Sequence, residues 1–263
     1  MRGLAAATVF LLALMAGSAQ ADVSVTEQVL QSGRYAKAQC KPDPKAPDYD
    51  ECTCDADIRY PQVMGMDNAQ AQDHLNGWFK NQASQAVCEG GKVDAPAKDA
   101  KVTRAPMSVS VHYETTFSSP DLLGLKFTDW AYTGGAHGNG SVVGVIVDLK
   151  KGRLLEPNDV FSAKELPGVN QTIYDALSAK PEEEVFRDQI ESRKGGFIRD
   201  NACQGCTLTL TPQGVHVLFQ TYEVAPYGAG NTDVPIPARF VSDASLTKAI
   251  VAQKPQKEKP EKK

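Results

Sequence analysis

The chain predicts an α+β fold, a mostly antiparallel sheet with a few packed helices. Three patterns carry this expectation. Met107, Val109, Val111, Tyr113, Thr115 and Phe117 alternate strictly with Ser108, Ser110, His112, Glu114, Thr116 and Ser118. That period of two belongs to a strand with one wet face. Leu75, Trp78, Phe79, Ala83, Ala86 and Val87 recur at helical spacing, one apolar stripe interrupted only by Gln82. Two β-like runs, 207–211 and 215–222, flank the turn Pro212-Gln213-Gly214.

The elements follow in order. Arg2, the apolar run 4–16 and the small-x-small triplet Ala19-Gln20-Ala21 read as an export signal over 1–21, with mature protein from Asp22. No Cys follows the run, so no lipid anchor is expected, and no later stretch is long and apolar enough to span a bilayer. The expected location is periplasmic or secreted. Residues 22–32 open with a short strand or helix, 41–50 are a Pro/Asp-rich loop, and 58–63 form a strand. A helix over 68–87 carries the apolar stripe, with Asp67 or Asn68 as its cap and His74 at its boundary. Residues 89–105 read as a loop and as the division between two halves, 22–105 and 106–252. Strands follow at 107–118, 123–131 and 141–149, the last with Val143, Val145, Val147 and Leu149 on one face. Residues 157–178 mix turn and helix, with Val169, Ile173 and Leu177 on one stripe, and 181–193 continue as a charged surface helix. The strand 215–222 turns Val215, Val217 and Phe219 inward. Pro235-Ile236-Pro237 fits only an edge strand or an extended segment. A short helix over 244–252 precedes a Lys/Pro/Glu tail, 253–263, that has no apolar side chains with which to build a core.

The net charge of −4 and the lack of a basic patch exclude a nucleic-acid role. Six cysteines, Cys40, Cys52, Cys54, Cys88, Cys203 and Cys206, read as disulfides in an exported chain. Proximity pairs Cys203 with Cys206, and Cys88 with one of the first three. A bridge closing a loop of about thirty residues stabilises by roughly 3–4 kcal/mol in the chain-entropy model. The rival reading, a zinc site or redox pair, meets two obstacles. Cys-x-Cys is poor zinc spacing, and a strand rather than a helix follows Cys206.

The stretch Tyr132-Thr133-Gly134-Gly135-Ala136-His137-Gly138-Asn139-Gly140 surrounds one imidazole with backbone-permissive residues. A phosphate loop needs a helix after it, and a β-rich run follows instead. No Gly-x-Ser-x-Gly elbow is present, and His74, His112, His137 and His216 lack metalloprotease spacing. His137 therefore reads as a turn-holding residue bonded to backbone carbonyls. The competing role is proton transfer with a carboxylate such as Asp129, Asp148 or Glu223. A second stretch, Tyr222-Glu223-Val224-Ala225-Pro226-Tyr227-Gly228-Ala229-Gly230, sets an aromatic ring on a rigid turn. That ring is either a binding anchor or a cap on the sheet end.

Together with Val234-Pro235-Ile236-Pro237, these two stretches resemble the RsiV-like extracytoplasmic domain. That domain occurs in lysozyme-sensing anti-sigma factors and beside the catalytic domain of PdaC-type peptidoglycan deacetylases. The resemblance spans residues 55–245, with a PdaC-like N-terminal half and an RsiV-like C-terminal half. It implies an envelope binding module without cofactor or metal, whose partner is a lysozyme-like protein or peptidoglycan. The slightly acidic body suits a basic lysozyme. The residues carried over are Tyr132, Gly134, Gly135, His137, Gly138 and Asn139, then Tyr222, Glu223, Pro226, Tyr227 and Gly230. The alternative is a glycan-acting hydrolase using His137. The binding reading requires both turns on one contiguous surface.

Overall fold

A computed structural model of the chain describes residues 23–41, 43, 45, 49–94, 104–199 and 201–253. The expected signal (1–21) and the tail from 254 onward lie outside the described residues, while Gln253 ends the last helix. The architecture is α+β. Seven strands, β1 Ser24–Ala36, β2 Tyr49–Met64, β3 Gly91–Val93, β4 Ala105–Ser118, β5 Leu122–Tyr132, β6 Asn139–Asp148 and β7 Arg153–Leu154, form one sheet in the order β3-β1-β2-β4-β5-β6-β7. Only β2 and β4 are parallel; helix α1, Ala69–Ala83, lies on the connection between them. The sheet thus runs across the expected division at 105/106. Of the two forms expected for 22–32 the strand is found, longer than expected, at 24–36, and one expectation is corrected at the sheet edge: residues 91–93 leave the expected loop to pair with β1.

Helix α1 starts where Asn68 accepts the Ala71 amide at 3.0 Å. It buries Leu75, Phe79 and Ala83 against Ile58, Val111, Leu125, Phe127, Val145 and Val147. The helix stops short of the expected residue 87. Ser84 closes the last turn on the Lys80 carbonyl, and Cys88 is drawn to β2 by its bridge to Cys54. The other bridges join Cys40 to Cys52 and Cys203 to Cys206, so all six cysteines are paired.

The opposite face carries a second core. Strands β8 Ile198–Arg199 and β9 Ala202–Cys203 form a small ribbon. Strands β10 Cys206–Thr211, β11 Gly214–Phe219 and β12 Thr232–Ile236 form a three-stranded sheet in that order, with β12 at its edge as Pro235 requires. Leu208, Leu210, Val215, Val217 and Phe219 meet Val169, Ile173 and Leu177 of α3, Leu166–Ser178. Each such side chain contributes about 1.5–3 kcal/mol by leaving water. A short helix α2, Pro157–Val160, precedes α3, and α5, Ala244–Gln253, closes the core with Leu246 and Ile250. The expected helix over 181–193 is corrected to a 3-10 turn, Glu182–Glu184, and a six-residue α4, Arg187–Ser192. Val185 and Ile190 are buried there, and the Phe186 amide donates to the Val224 carbonyl at 2.8 Å, so the segment lies on the surface as expected but is pinned to the core. Among the described residues no helix is long and apolar enough to cross a membrane.

The two sheets touch through backbone. A Cβ on Gly144 would sit 2.8 Å from the Leu208 carbonyl oxygen, and one on Gly124 would overlap that of Leu210. Beside them Thr209 donates to the Leu125 carbonyl at 3.0 Å and Thr116 to that of Leu210 at 2.7 Å. Thr116 is the extra residue of a bulge in β4, which turns Phe117 toward the second core.

Gly144→Val therefore forces the sheets apart and lowers unfolding free energy by about 1–3 kcal/mol in urea titration. Cys54→Ala/Cys88→Ala, which opens a separation of 34 residues, costs about 3–4 kcal/mol. Cys203→Ala/Cys206→Ala, across a separation of 3, costs about 2 kcal/mol by the same chain-entropy reasoning. A larger loss from the second pair than from the first contradicts this ranking.

Candidate functional site

Strands β5 and β6 are paired from Leu122–Asp148 to Ala131–Asn139, leaving residues 133–138 as the tip of a hairpin. Gly134 and Gly135 have φ of +102° and +93°, conformations that side-chain-bearing residues rarely adopt. Gly138 is needed for a different reason: a Cβ there would overlap the Trp130 indole. The Tyr132 hydroxyl donates to the Gly135 carbonyl at 3.2 Å and His137 Nδ1 donates to the Gly138 carbonyl at 2.9 Å. The imidazole thus holds its own turn, and its ring stays exposed.

The second stretch arrives from β11. Gln220 accepts the Val142 amide at 2.8 Å and donates to the Val142 carbonyl. The Gly144 amide donates to Thr207 at 2.8 Å, and Thr221 reaches the Gly140 carbonyl at 3.4 Å. Side chains of β10 and of the segment that follows β11 thereby satisfy the outer edge of β6, the edge that strand pairing leaves open. The chain then turns through Tyr222, whose φ is +68° although it is not glycine. Left-handed backbone costs a bulky residue roughly 1–2 kcal/mol, and here it holds a ring that is 49% exposed. Val224 and Ala225 are buried, and Pro226 opens a 3-10 turn that delivers Tyr227 onto the hairpin.

The two turns meet. The Tyr227 ring stacks on His137 with centroids 4.4 Å apart and planes at 24°, and its hydroxyl donates to the Gly138 carbonyl at 2.8 Å. Tyr222 lies 5.9 Å from Tyr227 by centroid. Trp130, absent from the sequence expectation, stacks near-parallel with Tyr132 at 6.4 Å. Between Trp130 and the 221–231 turn runs an open groove of about 400 Å³ that Ser141, Thr221, Tyr227 and Asn231 also line. Asn139 is exposed at the start of β6. Glu223 turns away from the rim, pairs with Arg193 at 2.7 Å and packs on Gly205, anchoring the turn rather than facing solvent with it.

The three carboxylates considered beside His137 each have another partner. Asp129 accepts from Ser141, Asp148 pairs with Lys151 at 3.0 Å, and Glu223 pairs with Arg193. Among the described residues no group of three or more His, Cys, Asp or Glu is placed to hold a metal. Trp130, Gln220, Thr221 and Asn231 escaped sequence reading. The signal for Trp130 was its spacing from two glycines across a hairpin, which only the register reveals.

Residues 48–140 match the family model described as Deacetylase PdaC, and residues 158–239 match DUF3298, a protein family of unknown function. The two matches support a PdaC/DUF3298-type family for this chain, coarser than the RsiV-like assignment. A crystal structure of a DUF3298 family member from Bacteroides fragilis NCTC 9343 superposes with a TM-score of 0.54 at 14% identity, covering 88% of this chain and 99% of that one. A DUF3298 family protein from Pseudomonas aeruginosa PAO1 gives a TM-score of 0.49 at 13% identity over 86% and 97% of the two chains. The first is a likeness of fold. No curated protein matches the chain. The disulfides and the PdaC-type match are compatible with an extracytoplasmic location.

Removing the hydroxyl in Tyr227→Phe leaves the stack and deletes one hydrogen bond, costing about 1 kcal/mol in denaturant unfolding. Gly138→Ala pushes a methyl into the indole and costs more, about 1–3 kcal/mol, with a shift in Trp fluorescence that Tyr227→Phe does not produce. Equal costs without that shift count against the indole seat.

Proposed function

We propose that the protein is a non-enzymatic binding module of the cell envelope, acting outside the cytoplasm. Its recognition surface is the rim made by the turns 132–140 and 222–230, and its ligand is peptidoglycan or a lysozyme-like protein that acts on it. The observation that carries this reading is the His137–Tyr227 stack, which joins two distant segments into one exposed aromatic surface. Exposed, rigidly held aromatic rings give large contact area at low entropic cost, as binding anchors do. Tyr222 supports the same reading, because its strained backbone holds a half-exposed ring out beside that of Tyr227 on the rim. The Bacteroides structure adds a likeness of fold and no ligand.

The engaged imidazole and the separately paired Asp129, Asp148 and Glu223 leave the hydrolase reading without an observation that favours it.

Tyr222→Gly separates binding from folding. It relieves the left-handed backbone, so the unfolding midpoint stays level or rises, while affinity for insoluble peptidoglycan or for lysozyme falls at least about tenfold, or 1.4 kcal/mol. Co-sedimentation with sacculi and inhibition of lysozyme measure the two arms. A parent protein that binds neither contradicts the function proposed.

A further inference from the structure

The groove beside the rim has a floor built for a flat ring. In the β5–β6 register Trp130 stands opposite Gly140. A Cβ on Gly138 would overlap the indole, and one on Gly140 would lie 3.6 Å from it and 2.9 Å from the Asp129 carbonyl oxygen. Two glycines therefore let the indole lie against bare backbone, one face seated and the residue 38% exposed. Tyr132 extends this platform, its plane only 13° from that of the indole and its hydroxyl tied to Gly135. The far wall holds hydroxyl and amide groups: Ser141 beside Asp129, and Thr221 donating to Asn231 at 3.0 Å. A volume of about 400 Å³ falls within the range of small-molecule sites.

The cations around the platform are paired. On the sheet face that Trp130 shares with Ser110 and Ser108, Arg34 is paired with Asp55 at 2.6 Å and Lys126 with Glu114 at 2.6 Å. Asp57 takes both Arg59 at 2.8 Å and His112 at 3.5 Å, and Arg59 also meets Glu27. A polyanion would find no unpaired cation among these residues, and the Asp129 carboxylate, which accepts from Ser141, lines the groove itself. What remains is an aromatic face ringed by hydroxyl, amide and carboxylate groups with nothing to hold an anion.

We propose that this groove is a subsite for an uncharged pyranose of a β-linked glycan. The equatorially substituted ring of such a sugar presents its axial C–H bonds as an apolar face, and the electron-rich indole face receives them. Its hydroxyl or acetamido groups then meet Ser141 and Thr221, whose hydrogens are already donated and whose oxygens accept, and the Asn231 amide nitrogen, which donates. The inference rests on the envelope-binding function above and narrows its ligand to sugar, with the protein partner as the competing outcome.

The test is NMR on the full oxidised chain, using tetra-N-acetylchitotetraose as the probe. The chain has two tryptophans, so two indole N–H signals are expected. Trp130→Phe assigns them. Trp78, packed on Phe79 and Phe127 under α1, is the internal control. The expected result is a saturable shift of the Trp130 signal with Trp78 still, and at least a tenfold weaker response in Asn231→Ala at an unchanged unfolding midpoint. Polygalacturonate, a polyanion with no uncharged pyranose, moves neither signal. A still Trp130 signal in a protein that nonetheless inhibits lysozyme overturns the sugar subsite and leaves the binding function standing. An equal response to polygalacturonate also overturns it. A protein that responds to neither sugar, sacculi nor lysozyme loses both.

Discussion

The open edge of one strand governs this structure. Strand β6 pairs with β5 along its whole length and with β7 only at its end, so the backbone groups of Gly140, Val142 and Gly144 face outward unpaired by strand. Three side chains, Thr207 of β10 and Gln220 and Thr221 just past the end of β11, meet them. An exposed strand edge invites aggregation, and buried orphan amides cost about 1–3 kcal/mol each. The same contacts answer both problems and fix where the chain emerges from β11. Because Gln220 is clamped at Val142, the next ten residues can only fall across the hairpin tip, where Tyr227 finds His137.

The rim is therefore a property of the junction. Its first turn lies in the segment that matches the PdaC model and its second in the segment that matches DUF3298. Neither segment alone contains the stack. The glycines have separate jobs within it. Gly134 and Gly135 permit the turn, Gly138 and Gly140 seat an indole, and Gly124 and Gly144 let two sheets approach to backbone contact. One residue type serves three physical ends, which explains why the hairpin is so rich in it.

Much of the fold was legible because apolar periodicity reports burial. The alternation from Met107 to Tyr113, the α1 stripe, and Val169, Ile173 and Leu177 lead to observed core faces, whereas the bulge at Thr116 takes Phe117 off the expected face and into the second core. Reading failed where long-range contacts overrode local pattern. Residues 91–93 are few and exposed, and only the neighbouring edge of β1 makes them a strand. Residues 181–193 carry charges like a surface helix, yet Val185 and Ile190 are claimed by the core and Phe186 by Val224. The site was half legible. The His137 and Tyr227 turns stood out through glycine, proline and aromatic content, whereas Trp130 and Gln220 look like ordinary strand residues until register places them. Glu223 shows the converse: an acidic residue in a conspicuous motif, used here to anchor the turn through Arg193.

The most direct measurement is the chemical shift of the carbon-bound imidazole protons of His137, in the parent protein and in Gln220→Ala. A tyrosine ring stacked 4.4 Å away displaces those protons upfield through its ring current. The account predicts that displacement in the parent and its loss when the clamp on β6 is removed. Free-imidazole shifts in the parent, or displaced shifts that survive Gln220→Ala, would contradict it.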